Sequence, residues 1–191
     1  MVGLKMLLLY IFIIITIFIM KINGKRNYDI VLENVTCSVN PEYFEPPTCF
    51  INKNTTKQLA HFELKSKQEM SSLQFSFNVI FLRKKDEPIV LLDSTQNDLC
   101  KFLEGSQVAF NILKIARDVL LTFGSLPKNC PIPKGFHFLF KDVYIDAERF
   151  PAYAPEGNFE ITINLTSGNN FVFFGKSHGY SIHKSKGVRW G

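Results

Sequence analysis

The sequence predicts a mainly-β protein, a two-sheet antiparallel β-sandwich with one helix inserted midway. Three observations carry that prediction. Apolar residues recur at every second position in several separate stretches, the spacing of strands with one buried face. One stretch in the middle of the chain instead repeats them at helical spacing. Proline- and glycine-marked segments, LPKNCPIPKG (126–135) and FPAYAPEG (150–157), fall where connections are needed. Strands with one apolar face each bury it most economically as two packed sheets.

The chain opens with Lys5, a near-unbroken apolar run from Met6 to Met20, and a polar exit at Lys21. Charged start, apolar middle and polar exit are the layout of a secretory signal. A run of about 15 residues is short of the roughly 20 needed to span a bilayer. Gly24 offers a small residue for cleavage, although no A-x-A pattern is present, and an uncleaved anchor is the alternative. Residues 1–24 are therefore read as a signal peptide, 25–183 as the sandwich domain and 184–191 as a basic tail. The expected location is secreted and extracellular.

Strand candidates follow in order. YDIVLENVTC (28–37) is strand-like but carries apolar residues at both parities. LAHFELK (59–65) alternates Ala60, Phe62 and Leu64, and SLQFSFNVIFLR (72–83) alternates Leu73, Phe75, Phe77, Val79 and Phe81. In QVAFNILKIARDVLLTF (107–123), Val108, Ile112, Ile115, Val119 and Phe123 take helical spacing, and Gly124 supplies a stop. This reads as an amphipathic helix on the sheets; its polar face is too thin in Lys and Arg to favour membrane insertion. KGFHFLFKD (134–142) alternates Phe136, Phe138 and Phe140. NFEITINLT (158–166) puts Phe159, Ile161, Ile163 and Leu165 on one face, and NNFVFFGKS (169–177) closes the series.

Composition narrows the function classes. Of the +5 formal charge, Lys5 and Lys21 lie in the signal, which leaves about +3, too little and too scattered to argue for nucleic acid. Nineteen Phe and one Trp point to a large, soft apolar interior. N-x-[ST] sequons at Asn34, Asn54 and Asn164 mark candidate glycosylation sites in a secreted chain. Asn164 falls on the polar face of its strand. Asn34 points outward if Val35 and Cys37 point inward, and Asn54 lies in a polar loop.

Cys100, in STQNDLCKFLEG (94–105), poses the enzyme question, because a helix start can activate a thiol. A thiol enzyme also needs a base, and none of His61, His137, His178 and His183 stands in a catalytic motif. His61 and His137 alternate with apolar neighbours and should face solvent, while His178 and His183 lie in a glycine- and lysine-rich tail. No CxxC, HExxH, GxSxG, phosphate loop or dinucleotide fingerprint occurs, and Asp86 and Glu87 stand in charged, turn-like sequence. No catalytic residue, metal ligand or cofactor is expected. Four cysteines favour disulfides and allow three pairings, among which sequence does not choose. Cys37–Cys49 and Cys100–Cys130 are the expected pairs because each closes a local irregular segment.

Five stretches together, NVTC (34–37), TCFINKNTTKQLAHFELK (48–65), DLCKFLEG (98–105), NCPIPKG (129–135) and APEGNFEI (154–161), carry a resemblance. They resemble an insect-expanded family of small secreted proteins, largely of unknown function, over roughly residues 28–174. That family is related to the ML lipid-recognition domain, whose members include the ganglioside activator and the Niemann-Pick type C cholesterol carrier. Some insect relatives are linked to contact chemosensation and pheromone perception. The resemblance implies an immunoglobulin-like sandwich whose sheets splay to admit a lipid tail. The HKSKGVRWG tail has no counterpart in it.

Inward candidates for lining such a pocket are Phe75, Phe77, Phe136, Phe138, Phe140, Phe159, Ile161 and Phe173. Lys101, Lys134 and the tail lysines are candidate partners for an acidic headgroup. The leading expectation is a secreted carrier or sensor accessory for a lipid or other hydrophobic small molecule, with a membrane receptor as a further candidate partner. The alternative is an extracellular interaction module with a dry core that acts through its surface loops. A lipid hydrolase ranks last, for want of a nucleophile and base.

Overall fold

The computed structural model describes residues 26–53, 58–82, 87–105, 111–127, 130–150 and 156–184. Eight strands run in the order β1 (Tyr28–Val39), β2 (Thr48–Asn52), β3 (Leu59–Lys65), β4 (Gln74–Leu82), β5 (Ile89–Asp98), β6 (His137–Val143), β7 (Gly157–Ser167) and β8 (Asn170–His183). Helices α1 (Leu99–Glu104) and α2 (Asn111–Phe123) stand between β5 and β6, and a short 3-10 turn (Ala147–Arg149) precedes β7. The strands form a five-stranded sheet, β1-β8-β7-β4-β5, and a three-stranded sheet, β2-β3-β6, each antiparallel throughout. A shared apolar cluster joins the two sheets, so the architecture is the predicted sandwich.

Local chemistry explains where the elements fall. The two apolar parities of β1 come from a bulge between Leu32 and Asn34. It turns Tyr28 and Leu32 inward before it, Val35 after it, and leaves Asn34 exposed. At α1, the Asp98 side chain accepts from the Lys101 amide at 3.0 Å and so caps the first turn. Gly105 ends that helix at φ +86°, a left-handed conformation that costs glycine little.

Three expectations need correction. A second, short helix, Leu99–Glu104, was not expected and carries Cys100; the expected one is described from Asn111 to Phe123. Strands β2 and β5 were not anticipated: β2 is only five residues long, and in β5 Ile89 to Leu92 do not alternate and Ser94 to Asp98 are polar. His178 and His183 do not lie in a tail; both sit on β8. Along β8 the alternation is of size, with Gly175, Ser177, Gly179 and Ser181 facing in and Phe174, Lys176, His178 and Tyr180 facing out. A hydropathy pattern hides that kind of strand. Residues 1–24, the 184–191 tail apart from Lys184, and Asn54, Asp86 and Val108 lie outside the described residues.

Both expected disulfides are formed. Cys37–Cys49 joins β1 of the large sheet to β2 of the small one, with Cα atoms 6.1 Å apart. Cys100–Cys130 joins α1 to the segment before β6, with Cα atoms 5.8 Å apart. Cys100 is therefore a staple, which answers the question that STQNDLCKFLEG raised. Two disulfides fit an oxidising compartment. No helix among the described residues is long and apolar enough to cross a membrane.

Candidate functional site

The register of the large sheet aligns its inward side chains in rows. One row is Phe81, Phe159, Gly179 and Leu32; the next is Val79, Ile161, Ser177 and Val35. The third is Phe77, Ile163, Gly175 and Cys37, and the fourth Phe75, Leu165, Phe173 and Val39. Strand β7 runs through the middle of these rows.

Burial along the rows runs against the usual order. Val79, Phe77 and Phe75 on β4 are 9%, 8% and 5% exposed, and Val35 on β1 is 6%. Between them Ile161, Ile163, Leu165 and Ser177 are only half-buried. A strand flanked on both sides within a sandwich ordinarily has the more deeply buried inner face, because interiors pack to near-crystalline density. Here Ile161, Ile163 and Leu165 are more accessible than the β4 residues beside them, although Phe159, Phe173, Gly175 and Gly179 in the same rows are buried. Among the described residues, Ile161, Ile163, Leu165 and Ser177 therefore keep part of their inner face accessible.

Two features distinguish this part of the interior. Strand β8 presents small inward residues: the Phe173 ring folds over Gly175, the Phe159 ring reaches over Gly179, and Ser177 lies between them. In addition, the cover over the large sheet is divided. Phe138, Phe140, Leu64 and Phe44 form one cluster with Leu32, Phe159 and Val172, whereas Phe102, Leu103 and Leu113 form another with Phe75, Phe77 and Val79. Ile161, Ile163 and Leu165 touch both clusters, as do Leu99, Leu120 and Leu126. The β7 side chains thus lie at a seam between a sheet and a helical cover.

Helix α2 is the loose part of that cover. Among its described side chains only Leu113 is fully buried. Arg117 fastens it: Nε donates to the Phe102 carbonyl at 3.0 Å, and Nη2 to the Leu103 carbonyl at 2.8 Å. A cation there also opposes the negative end of α1. Beyond the helix, Phe123 stacks edge-on against Tyr144 with centroids 5.1 Å apart. A Cβ on Gly124 would overlap the Phe140 ring, so this glycine serves close packing besides ending the helix.

The eight predicted lining residues do not form one wall. Phe75 and Phe77 belong to the helical cluster; Phe138, Phe140, Phe159 and Phe173 belong to the sheet cluster. Phe136 is half-buried and packs edge-on against Phe138 at 4.8 Å. Ile161 alone of the eight touches both clusters. Ile163, Leu165 and Ser177 belong to the seam and were not among the candidates. The first two share the parity of Ile161, a signal present in the sequence, whereas Ser177 had none.

The interior is electrically plain. The polar residues buried among those described are Ser66, Ser94 and Ser181, all uncharged. Burial pushes the Tyr28 phenol above its ordinary pKa of 10.0, with Arg26 opposing the rise and Glu148 adding to it. Charge sits outside. Glu160 meets Lys176 at 2.9 Å and His178 at 3.7 Å on the outer face of the large sheet. Glu63 meets His137 at 2.7 Å and His61 at 3.8 Å on the small one. Lys101 and Lys134 are exposed. Among the described residues, no three His, Cys, Asp or Glu side chains are placed to hold a metal ion.

Comparison with known proteins gives one family match. Residues 73–161, less than half of the chain, are similar to a family described as "Protein of unknown function (DUF1091)". That span runs from the start of β4, through both helices and β6, to Ile161 in the seam. No curated protein matches the chain.

Proposed function

We propose that the protein is a secreted carrier that holds a lipid or other hydrophobic small molecule in the seam above β7. One observation supports this reading above the rest: Ile161, Ile163 and Leu165 are more accessible than the inward residues of β4 beside them. Ligand sites of this class are concave and mostly apolar, with few polar groups. The lining favours an uncharged, chain-like body, because a buried charge would find no partner there. A charged headgroup would stay at the rim. The reading includes no catalytic step. The resemblance to chemosensory relatives suggests an accessory role in contact chemosensation, with a membrane receptor as the downstream partner.

Titration with a long-chain fluorescent fatty acid tests the site, with native protein and Ile161→Trp compared. Saturable binding that Ile161→Trp removes, with its far-UV spectrum unchanged, supports the reading. Equal binding by both proteins refutes the site.

A second reading rests on different residues. Leu82, Val90 and Leu91, where β4 meets the edge strand β5, are 39%, 57% and 41% exposed. Large side chains left out of the core in one place are characteristic of an interaction surface. If no ligand occupies the seam, this edge is the place to seek a protein partner.

A further inference from the structure

Two sequons fall on described strands, and both project from the same surface. Asn34 is exposed on β1, and Asn164 stands on the outward parity of β7, so both lie on the outer face of the large sheet. That face is opposite the seam. Directly across the β7–β8 ladder from Asn164 is Phe174, whose other neighbour, on β1, is Ser38. Phe173 takes the inward position, 8% exposed in the core, so Phe174 points outward and is half-buried. Ser76 flanks Asn164 on the β4 side. A half-buried benzene ring thus lies on the outer face with Asn164 on one side of it and Ser38 on the other.

We propose that Asn164 carries an N-linked glycan whose first sugar packs on the ring of Phe174. Directly opposed residues in an antiparallel pair have Cβ atoms roughly 4.5–5.5 Å apart, close enough for a group on one side chain to lie over the other. The apolar face of a hexosamine ring offers C–H groups to an aromatic face, whose quadrupole is negative. The modification is an ordinary transfer. The Asn164 amide nitrogen forms a bond to C1 of an oligosaccharide carried on a lipid diphosphate. The bond from C1 to the diphosphate oxygen breaks, the lipid diphosphate leaves, and the amide proton passes to the transferase. The proposal rests on the secretory reading. Its consequence is a division of faces: the sugars cover the outer surface of the large sheet, leaving ligand exchange and partner contact to the side of the helices and the small sheet.

The test uses the full chain secreted from a eukaryotic host. Enzymatic glycan release in heavy-oxygen water marks each occupied asparagine, read by peptide mass spectrometry. Native protein, Phe174→Ala, Asn164→Gln and the double variant are then melted, with Phe174→Leu as a milder substitute that keeps apolar bulk without a flat ring. The expected result is an occupied Asn164 and a larger loss of Tm from Phe174→Ala with the sugar than without it. About 2–4 °C of extra loss corresponds to one favourable contact in a chain of this size. An equal loss in both backgrounds overturns the packing. Sugar on Asn34 with none on Asn164 overturns the site. A secreted chain bare at all three sequons overturns the proposal with the secretory reading intact, whereas a chain that never leaves the cytosol overturns the secretory reading itself.

Discussion

Ile161 stands opposite Ser177 across the β7–β8 ladder, and both remain half-buried in the middle of a sheet whose flanking residues Val79 and Val35 are closed off. A hydroxymethyl group is too short to cover the isoleucine beside it. Above the pair, the sheet cluster and the helical cluster meet at Ile161.

Enlarging Ile161 tests the seam thermodynamically. In a filled core an extra ring typically costs about 1–3 kcal/mol through strain. Ile161→Phe is expected to cost less than about 1 kcal/mol by denaturant unfolding, because the ring has somewhere to go. A loss at the upper end of that range would show the seam to be packed.

The glycines of β8 predict a contrast. A Cβ on Gly179 would run into the Val31 carbonyl oxygen and the Phe159 ring, and the backbone cannot yield. On Gly175 it would meet only the Phe173 ring, at 3.0 Å. Gly179→Ala should therefore destabilise by about 3 kcal/mol or more and Gly175→Ala by about 1 kcal/mol, in the range found for overpacking. Urea midpoints of the two variants settle the order.

Arg117 ties α2 to the end of α1. Replacing it with Ala removes charge-assisted bonds worth about 1.5–3 kcal/mol in general. Hydrogen exchange should quicken in 111–123 and in the last turn of α1, with the β7–β8 amides unchanged. Lys at the same position restores charge but not the forked donor geometry, so recovery should be partial.

The two disulfides differ in the loops they close, spanning 12 and 30 residues of separation. Chain-entropy arguments give about 3 kcal/mol for Cys37–Cys49 and about 4 kcal/mol for Cys100–Cys130. Paired Cys→Ala variants should lower the unfolding free energy in that order. Loss of the first should also loosen the attachment between the sheets.

Tyr28 contributes to the alkaline limb. Its pKa is raised in the folded protein, so the neutral phenol is the favoured form there. The sign follows: this contribution is fully present below pH 10.0 and is lost as pH rises through the higher folded value. Tyr28→Phe should flatten the fall in stability above pH 10 and leave neutral pH behaviour nearly unchanged.

Much of the scaffold could be read from residue types. Alternation located β3, β4, β6 and the apolar face of β7, and the cysteine spacing suggested both bonds. The misses have physical causes. Strand β5 lies at a sheet edge, where one neighbour suffices and alternation is not enforced. The second half of β8, past the expected 169–177, alternates small and large rather than apolar and polar. Ser177 escaped notice for the same reason: a small inward residue leaves little trace in hydropathy. The phenylalanines that drew attention to a pocket mostly belong to one apolar cluster or the other.

The most direct test of the central claim is native mass spectrometry of the secreted, deglycosylated protein, followed by solvent extraction and lipid analysis. The account predicts a stoichiometric apolar adduct, absent from Ile161→Trp. A mass equal to the bare chain with two disulfides, unchanged after incubation with lipid extracts, would contradict it.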